Sequence, residues 1–219
     1  MELDKINIYR MMHIQNIEHI LVNGITYKSS ENSNPNFISI GDVSLIDTRS
    51  NRQVNVDNGN LGTLNLKTIT LGDFIPFYFG LKMPMLYVIE NGGNFVEKAT
   101  LASNIIYVVC SVKKIIDSGN NYYFSDGHAT DNLTTFFDSA KINELPDIVD
   151  WDAVKAPYWG GSENLNLKRK KQAEFLIQND ISADTIIGFG CYNNAAKEIL
   201  INLGVAENKI KVIPKAYYN

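Results

Sequence analysis

A run of four cations followed by a glutamate is the part of this sequence best suited to chemistry. The cations are Lys168, Arg169, Lys170 and Lys171. Glu174 follows them and leads into the apolar residues 175–177. Clustered lysine and arginine side chains attract phosphate groups, even though the whole chain has a formal net charge of −4. A carboxylate beside such a cluster suggests a reaction on an anionic substrate, but on the residues alone a glutamate paired with a neighbouring cation, beside a solvated basic face, is the more ordinary interpretation.

Common signatures of nucleotide-binding and covalent enzymes are missing from the sequence. Residues 188–193 lack the third glycine of a dinucleotide-binding fingerprint, and there is no Walker-type phosphate loop. No serine lies in a nucleophile elbow. Cys110 and Cys191 each lie in an apolar run, far from each other and from any histidine in the sequence. The three histidines have no metal-ligand spacing, so covalent and metal chemistry are not expected.

Length and composition favour an ordinary globular protein. The 219 residues are 45% hydrophobic, which is enough to bury one substantial core, and we predict a single domain over residues 1–219. The first residues lack a long apolar stretch behind a basic start, and no apolar run is long enough to span a bilayer. We therefore expect a cytoplasmic protein with no membrane partner.

The elements that must position these residues are an irregular mixture of strands and helices. Apolar and β-branched runs predict strands at residues 8–13, 74–79, 83–89, 105–110, 122–124, 174–177, 185–191 and 210–214. Helical spacing and capping residues predict helices at residues 16–23, 131–140 and 194–203. Because the order follows no regular βαβ repeat, we predict an α+β architecture. Alternation along the strand at 174–177 places Glu174 and Leu176 on the face opposite Phe175.

The polar residues 27–71 form the longest predicted loop region. Turn-forming residues are concentrated at 29–36 and 55–60, and Arg49 and Arg52 lie between these two stretches. The region is too long to be a simple connector. Since long loops in compact domains often carry function, we expect it to contribute to a site.

Four motifs in order resemble those of the DarT family of DNA ADP-ribosyltransferase toxins. They are YRMMHIQN at residues 9–16, GDFIPFYF at 72–79 with PMLY at 84–87, SDGHA at 125–129, and KKQAEFL at 170–176. Each motif is weak alone, but the combination is specific and covers nearly the whole chain. The resemblance implies the ADP-ribosyltransferase fold, in which a split pair of small β-sheets with peripheral helices forms a cleft for NAD.

The resemblance also implies an activity and its partners. The family transfers one ADP-ribose from NAD to a base of single-stranded DNA, thymine in most members, and releases nicotinamide, so NAD is consumed as a co-substrate. A single strand suits this reaction because a base in a duplex must first be unstacked to reach a pocket. The implied partners are single-stranded DNA and a macrodomain antitoxin that removes the modification.

By the same resemblance, Glu174 corresponds to the catalytic glutamate of the family. Breaking the bond between nicotinamide and ribose develops positive charge on the ribose, so a fixed carboxylate can stabilise that charge and deprotonate the attacking base. The family also uses an arginine after the first polar loop. Arg49 and Arg52 are both candidates, with Arg49 preferred, because a planar guanidinium can neutralise a pyrophosphate or position the base.

The remaining candidates are assigned to NAD or to DNA. His13 matches a histidine that contacts the NAD ribose, and Asn16 is suited either to the same ligand or to capping the first helix. Tyr78 is the candidate for stacking on nicotinamide. A core position is the strong alternative for it, since three adjacent aromatic residues cannot all face a cleft. The expected DNA-binding residues are Lys82, Met85, His128, Lys168, Arg169, Lys170 and Lys171.

Two alternatives remain open. The same fold can transfer ADP-ribose to RNA or protein, and the scaffold can also serve as a nucleic-acid binding module without turnover. Glu174, His13 and the nearby arginines argue against the second alternative.

Overall fold

The computed structural model describes residues 2–57, 67–93, 96 and 98–218. Its strands join one mixed sheet with short helices around it, and the predicted α+β class is confirmed. The strands are β1 (Asn7–His13), β2 (Gln53–Asp57), β3 (Lys67–Thr70), β4 (Phe74–Tyr78), β5 (Ile105–Ser111), β6 (Tyr122–Ser125), β7 (Phe136–Phe137), β8 (Glu174–Gln178), β9 (Ile186–Cys191) and β10 (Ile210–Val212). The helices are α1 (Ile17–Asn23), α2 (Val43–Asn51), α3 (Pro84–Asn91), α4 (Val112–Asp117), α5 (Leu145–Ile148), α6 (Trp151–Lys155), α7 (Leu165–Lys171) and α8 (Asn194–Asn202). Of the helices described, none combines the length and the apolarity needed to cross a membrane.

The sheet is split between β1 and β4. Its strand order is β10-β9-β5-β1-β4-β8-β6-β7-β2-β3. β1 pairs with β5 at seven positions but with β4 only where Tyr9 meets Tyr78, whereas β4 pairs with β8 at five positions. The two halves therefore part at this junction, as the predicted pair of small sheets requires.

Strand β8 is covered on both faces. Phe175 and Ile177 pack into the main core with Phe77 of β4. Leu176 points the other way, into a second apolar cluster formed with β2, β3 and β7. Glu174 shares the face of Leu176, as strand alternation predicts. A carboxylate thus begins a strand whose next three residues are fully buried hydrophobic side chains.

The strand predicted at residues 83–89 is wrong, because these residues form helix α3. Pro84 occupies the first turn, where its missing N–H has no helical partner to lose. Leu86 and Ile89 are spaced three residues apart and are both buried. A short apolar run does not distinguish a strand from a buried helix, and here the proline decides for the helix.

The helix predicted at residues 131–140 is also wrong. The Asp131 side chain accepts the backbone N–H of Leu133 and so forms a turn. The short strand β7 follows, and a 3₁₀ helix at Ser139–Glu144 begins only after Asp138, which accepts the N–H of Ala140. The capping aspartate is therefore Asp138.

The polar region 27–71 contains more regular structure than its composition indicates. Helix α2 and strands β2 and β3 lie within it, while residues 58–66, including part of the turn-rich stretch 55–60, fall outside the described residues. No residue of α2 is buried, so the helix lacks the apolar stripe that would reveal it in the sequence. The segment before α2 is fixed by Asp180, which accepts the N–H of Tyr27 at 2.7 Å and the hydroxyl of Ser30 at 2.6 Å.

Candidate active site

A cavity of about 600 Å³ lies at the junction of the two sheet halves. Its walls come from β1, β4, α2, α3 and the segment 25–42, so the long polar region does contribute to the site. The volume is within the range of sites for organic ligands. The lining residues that the sequence had indicated are Asn16, Arg49, Tyr78, Met85 and His128.

Glu174 lies behind Arg49 in the cavity wall, with its side chain only 1% exposed. Arg49 Nη1 donates to Glu174 Oε1 at 3.1 Å and lies 2.9 Å from Oε2. The backbone N–H of Ala129 donates to the same Oε1 at 3.0 Å. On the neighbouring strand, Tyr78 is the direct pairing partner of Glu174. An ion pair and a backbone hydrogen bond thus hold the Glu174 carboxylate in a fixed position.

The motif at residues 125–129 forms the loop that encloses Glu174. Ser125 Oγ accepts the Glu174 N–H at 3.1 Å and donates to the carbonyl of Gly127 at 2.7 Å. A Cβ atom at Gly127 would lie 2.4 Å from Arg169 Nη1, so any side chain at this position would displace the Arg169 guanidinium. Arg169 Nη1 in turn donates to Asp126 Oδ1 at 3.0 Å. The loop is therefore clamped between β8 and α7.

The two arginine candidates have different environments. Arg49 lies in the last turn of α2 and contacts Glu174, whereas Arg52 follows the helix and donates to Asn132 Oδ1 at 2.7 Å. The end of α2 reaches the site because Gly72 packs against it, where a Cβ atom would lie 2.6 Å from the carbonyl oxygen of Ser50. In the described structure Arg52 is bound away from Glu174, which favours Arg49 of the two candidates, and the catalytic role of either arginine stays a prediction.

Arg10 is a charged residue of the site that the sequence did not reveal. It lies on β1, lines the cavity and donates from Nη1 to the Pro76 carbonyl at 2.8 Å. Within the described structure, its buried Nε and Arg49 Nη2 have no hydrogen-bond acceptor. Burial, and then the charge of Arg49, lower the pKa of Arg10 to about 10, so it remains charged at neutral pH. Two guanidinium groups with free N–H donors suit an anionic ligand.

Of the three adjacent aromatic residues 77–79, Tyr78 is the one that lines the cavity. Its neighbours Phe77 and Phe79 are buried in the main core. This confirms that the three adjacent rings do not share one direction. Burial, together with the charge of Glu174, raises the pKa of Tyr78, so its hydroxyl stays protonated.

His128 lines the cavity from the loop at residues 125–129. Its backbone N–H donates to the carbonyl of Arg169 at 2.9 Å, and its Nδ1 lies 3.0 Å from the hydroxyl of Thr130. Burial is the main cause that lowers the pKa of His128 below its usual value. At neutral pH the ring is therefore an uncharged imidazole that can donate or accept one hydrogen bond.

His13 and Asn16 do not occupy equivalent positions. His13 Nδ1 accepts the N–H of Gln15 at 3.3 Å, and burial lowers the pKa of His13. Asn16 lines the cavity and binds the backbone of Ile38 twice, donating to its carbonyl at 2.8 Å and accepting its N–H at 2.9 Å. The Asn16 side chain makes no helix cap. Instead, it attaches Ile38 in the segment 25–42 to the turn between β1 and α1.

The four consecutive cations do not form one surface patch. Arg169 is 7% exposed and binds Asp126, and Lys171 is 2% exposed with its Nζ donating to the Val154 carbonyl at 2.9 Å. Lys170 pairs with Asp150 at 2.9 Å, and only Lys168 is an exposed residue. Arg169 and Lys171 therefore do not share an exposed surface with Lys168, and a phosphate-binding role for them stays a prediction that their burial does not favour. Successive residues of a helix point in different directions, so a run of cations on α7 cannot share one face.

Lys82 and Met85, both predicted to bind DNA, occupy different positions relative to the cavity. Met85 of α3 lines the cavity. Lys82 precedes the helix in a left-handed conformation, with a φ of 56°, and its Nζ lies 4.9 Å from the centre of the Tyr218 ring. Lys82 therefore faces a neighbouring aromatic surface instead of the cavity.

Both cysteines are buried. Burial raises the pKa of the Cys110 thiol to about 12, so it is not a nucleophile at neutral pH. Across the described ranges, no three histidine, cysteine, aspartate or glutamate side chains are grouped so as to hold a metal ion.

Comparison with known proteins places this geometry in a family. The family model described as ssDNA thymidine ADP-ribosyltransferase, DarT, matches residues 9–218. A DNA ADP-ribosyl transferase from Thermus sp. (strain 2.9) is 31% identical over 170 residues, which are 78% of this chain and 73% of the relative. The structure of Thermus sp. 2.9 DarT in complex with ADP-ribosylated ssDNA is 25% identical with a TM-score of 0.80, covering 97% of this chain and 96% of that chain. Its complex with NAD+ is likewise 25% identical, with a TM-score of 0.74 and 97% of each chain covered. The chain therefore belongs to the DarT family.

Proposed function

We propose that this protein transfers one ADP-ribose unit from NAD to thymidine in single-stranded DNA and releases nicotinamide. The observation that carries the proposal is the buried Glu174 carboxylate, bound by Arg49 at the wall of a cavity of about 600 Å³. Membership of the DarT family supplies the reaction class. NAD is the co-substrate, and residues of this chain supply the groups that act on it.

The reaction breaks the bond between ribose C1′ and the nicotinamide nitrogen, and its electrons leave with nicotinamide. A base nitrogen supplies the electron pair of the new bond to C1′ and gives up its proton. Glu174 is proposed to stabilise the positive ribose and to accept that proton. A carboxylate enclosed by protein is well suited to both tasks, because little water competes for it.

The Arg49 side chain must move away from Glu174 for this chemistry to occur. Arg49 lines the cavity whereas Glu174 does not, and Arg49 Nη2 is buried without an acceptor in the described structure. We propose that the pyrophosphate of NAD binds Arg49 and Arg10, which turns Arg49 toward the ligand and exposes Glu174. Tyr78 is proposed to stack on nicotinamide, while His13 and Asn16 are proposed to hold the ribose side of the cavity.

The DNA is proposed to enter from the side of His128 and Met85. The neutral His128 ring can exchange one hydrogen bond with the target base, and Met85 can pack on it. Lys82, Lys168 and Lys170 remain as phosphate-binding candidates. Arg169 is instead proposed to position the loop around Glu174, given its bonds to Asp126 and to the N–H of His128.

The decisive experiment compares Glu174→Gln with Glu198→Gln. The amide oxygen of Glu174→Gln can still accept the Ala129 N–H, so the fold is retained while the charge is lost. Glu198 is an exposed carboxylate on α8 and serves as the matched control. We expect Glu174→Gln to lower the transfer rate at least about 100-fold, measured as the ADP-ribose mass increment on a single-stranded oligonucleotide. Full activity of Glu174→Gln would refute the assignment.

The same assay separates the proposal from its alternatives. Wild-type protein is incubated with NAD and separate pools of single-stranded DNA, duplex DNA, RNA and protein. Product in the RNA or protein pool alone would favour the first alternative, and no product in any pool would favour a binding module. Nucleoside mass spectrometry of a digested DNA product identifies the modified base.

The biological setting is part of the proposal. As a DarT protein, the chain is proposed to act as a cytoplasmic toxin whose product is removed by a macrodomain antitoxin. Co-expression of wild type and Glu174→Gln with and without such an antitoxin tests this point. Toxicity that is equal for both proteins would contradict it.

A further inference from the structure

Three aromatic side chains form a surface cluster on the outer side of α3. Tyr87 is 47% exposed and meets Trp159 and Tyr218 edge to face, with ring centres 6.0 and 5.3 Å apart. Trp159 Nε1 donates to the Tyr218 hydroxyl at 2.7 Å, and this hydroxyl donates to the Lys82 carbonyl at 2.8 Å. The rings are thus fixed before any ligand binds, which limits the conformational entropy lost on binding.

Two lysines complete this aromatic platform. Lys168 Nζ lies 5.2 Å from the centre of the Trp159 ring, and Lys82 Nζ lies 4.9 Å from that of Tyr218. The two lysines come from different parts of the chain and meet the same cluster. Positive charge and ring surfaces are therefore presented together, which is the combination that proteins use to bind single-stranded nucleic acids.

The platform lies across one helix from the cavity. Met85 and Ile89 of α3 line the cavity, whereas Tyr87, between them in sequence, points to the other side of the helix. A helix is about 10 Å across, and stacked nucleotides are about 3.4 Å apart along a strand. A strand with its target base in the cavity therefore reaches the platform within about three nucleotides.

We propose that Tyr87 and Trp159 stack on an unpaired base that flanks the modified thymidine, with Lys82 and Lys168 binding the adjacent phosphates. This inference rests on the proposed function and adds a second contact to the same DNA strand. It also gives the exposed ring of Tyr87 a function, since packing alone does not require an exposed ring at this position. The competing explanation is that the cluster only fastens Tyr218 to α3.

The test places an abasic residue at successive positions on either side of a single target thymidine. With wild-type protein, we expect kcat/KM to fall about 10-fold at one flanking position, the loss of one base–aromatic stack. Tyr87→Ala should lower kcat/KM on the intact oligonucleotide by a similar factor and remove the penalty of the abasic position. Tyr87→Phe, which keeps the ring, should retain that penalty.

A cluster with only a structural role would give a different result. Tyr87→Ala would then slow the intact and abasic oligonucleotides by the same factor, so the abasic penalty would persist in the variant. Alternatively, neither the wild type nor Tyr87→Ala would show a position-dependent penalty. Either outcome overturns the inference. Lys168→Met should reduce the slope of log binding constant against log salt by about 0.7, the value for one phosphate of a single strand. An unchanged slope would remove Lys168 from the platform.

Binding can be measured without catalysis in the variant Glu174→Gln/Trp151→Phe. Trp159 is then the remaining tryptophan, and a stacked base should quench its fluorescence with single-stranded DNA but not with an oligonucleotide lacking that base. Quenching without modification by the wild type would refute the proposed function but retain the platform. Modification of single-stranded DNA without quenching and without an abasic penalty would support the proposed function but refute the platform.

Discussion

The ion pair between Arg49 and Glu174 provides the sharpest test of how the site is built. Arg49→Met keeps much of the apolar stem and removes the guanidinium. Glu174, 1% exposed, is then left buried with the N–H of Ala129 donating to it. Removing one partner of a buried pair leaves an uncompensated charge, and the expected loss of unfolding free energy is about 3–5 kcal/mol. An exposed pair would contribute no more than about 1 kcal/mol.

Urea unfolding at neutral pH measures this loss, with the fluorescence of Trp151 and Trp159 as the signal. The matched variants are Glu174→Gln and the double variant Arg49→Met/Glu174→Gln. In the double variant both charges of the pair are removed, so neither is left buried without its partner, and we expect most of the stability to return. All three variants should lack transferase activity, which separates stability from function. The reasoning fails if Arg49→Met loses less than about 1 kcal/mol, or if the second substitution restores nothing.

Two further predictions follow from buried cations. Burial, and then the charge of Lys82, lower the pKa of Lys171 from 10.5 to about 8. Between these two pKa values the unfolded chain binds more protons than the folded protein. The free energy of unfolding should therefore rise with pH across that window. Lys171→Met should flatten this rise in urea titrations at several pH values, while leaving the salt dependence of DNA binding unchanged; a reduced salt slope would mean that Lys171 does contact phosphate. Arg10→Gln removes a charge from the cavity wall, so we expect KM for NAD to rise about 10-fold or more, with a smaller change for nicotinamide riboside, which has no phosphate. Equal effects on both ligands would show that Arg10 acts only through the Pro76 contact.

Local patterns identified much of the fold. The β-branched run at 105–110 and the alternation at 174–177 depend on short-range sequence, and the structure has β5 and β8 at these places. The errors occur where local signals conflict, as at Pro84, or where a helix such as α2 has no buried face to mark it. Tertiary contacts, here the packing of Gly72 on Ser50, hold such an element in place.

The sequence by itself determined the family, the reaction class and the position of Glu174, because the motifs consist of adjacent residues and can be recognised without the structure. Only the tertiary structure decided which distant residues meet. It brought Arg49, 125 positions away, to Glu174 and left Arg52 outside. It also divided the four cations between interior and surface, because consecutive helical residues point in different directions. A charged residue in a sequence is a candidate for binding a ligand, but its burial and its partners in the structure determine what it can bind.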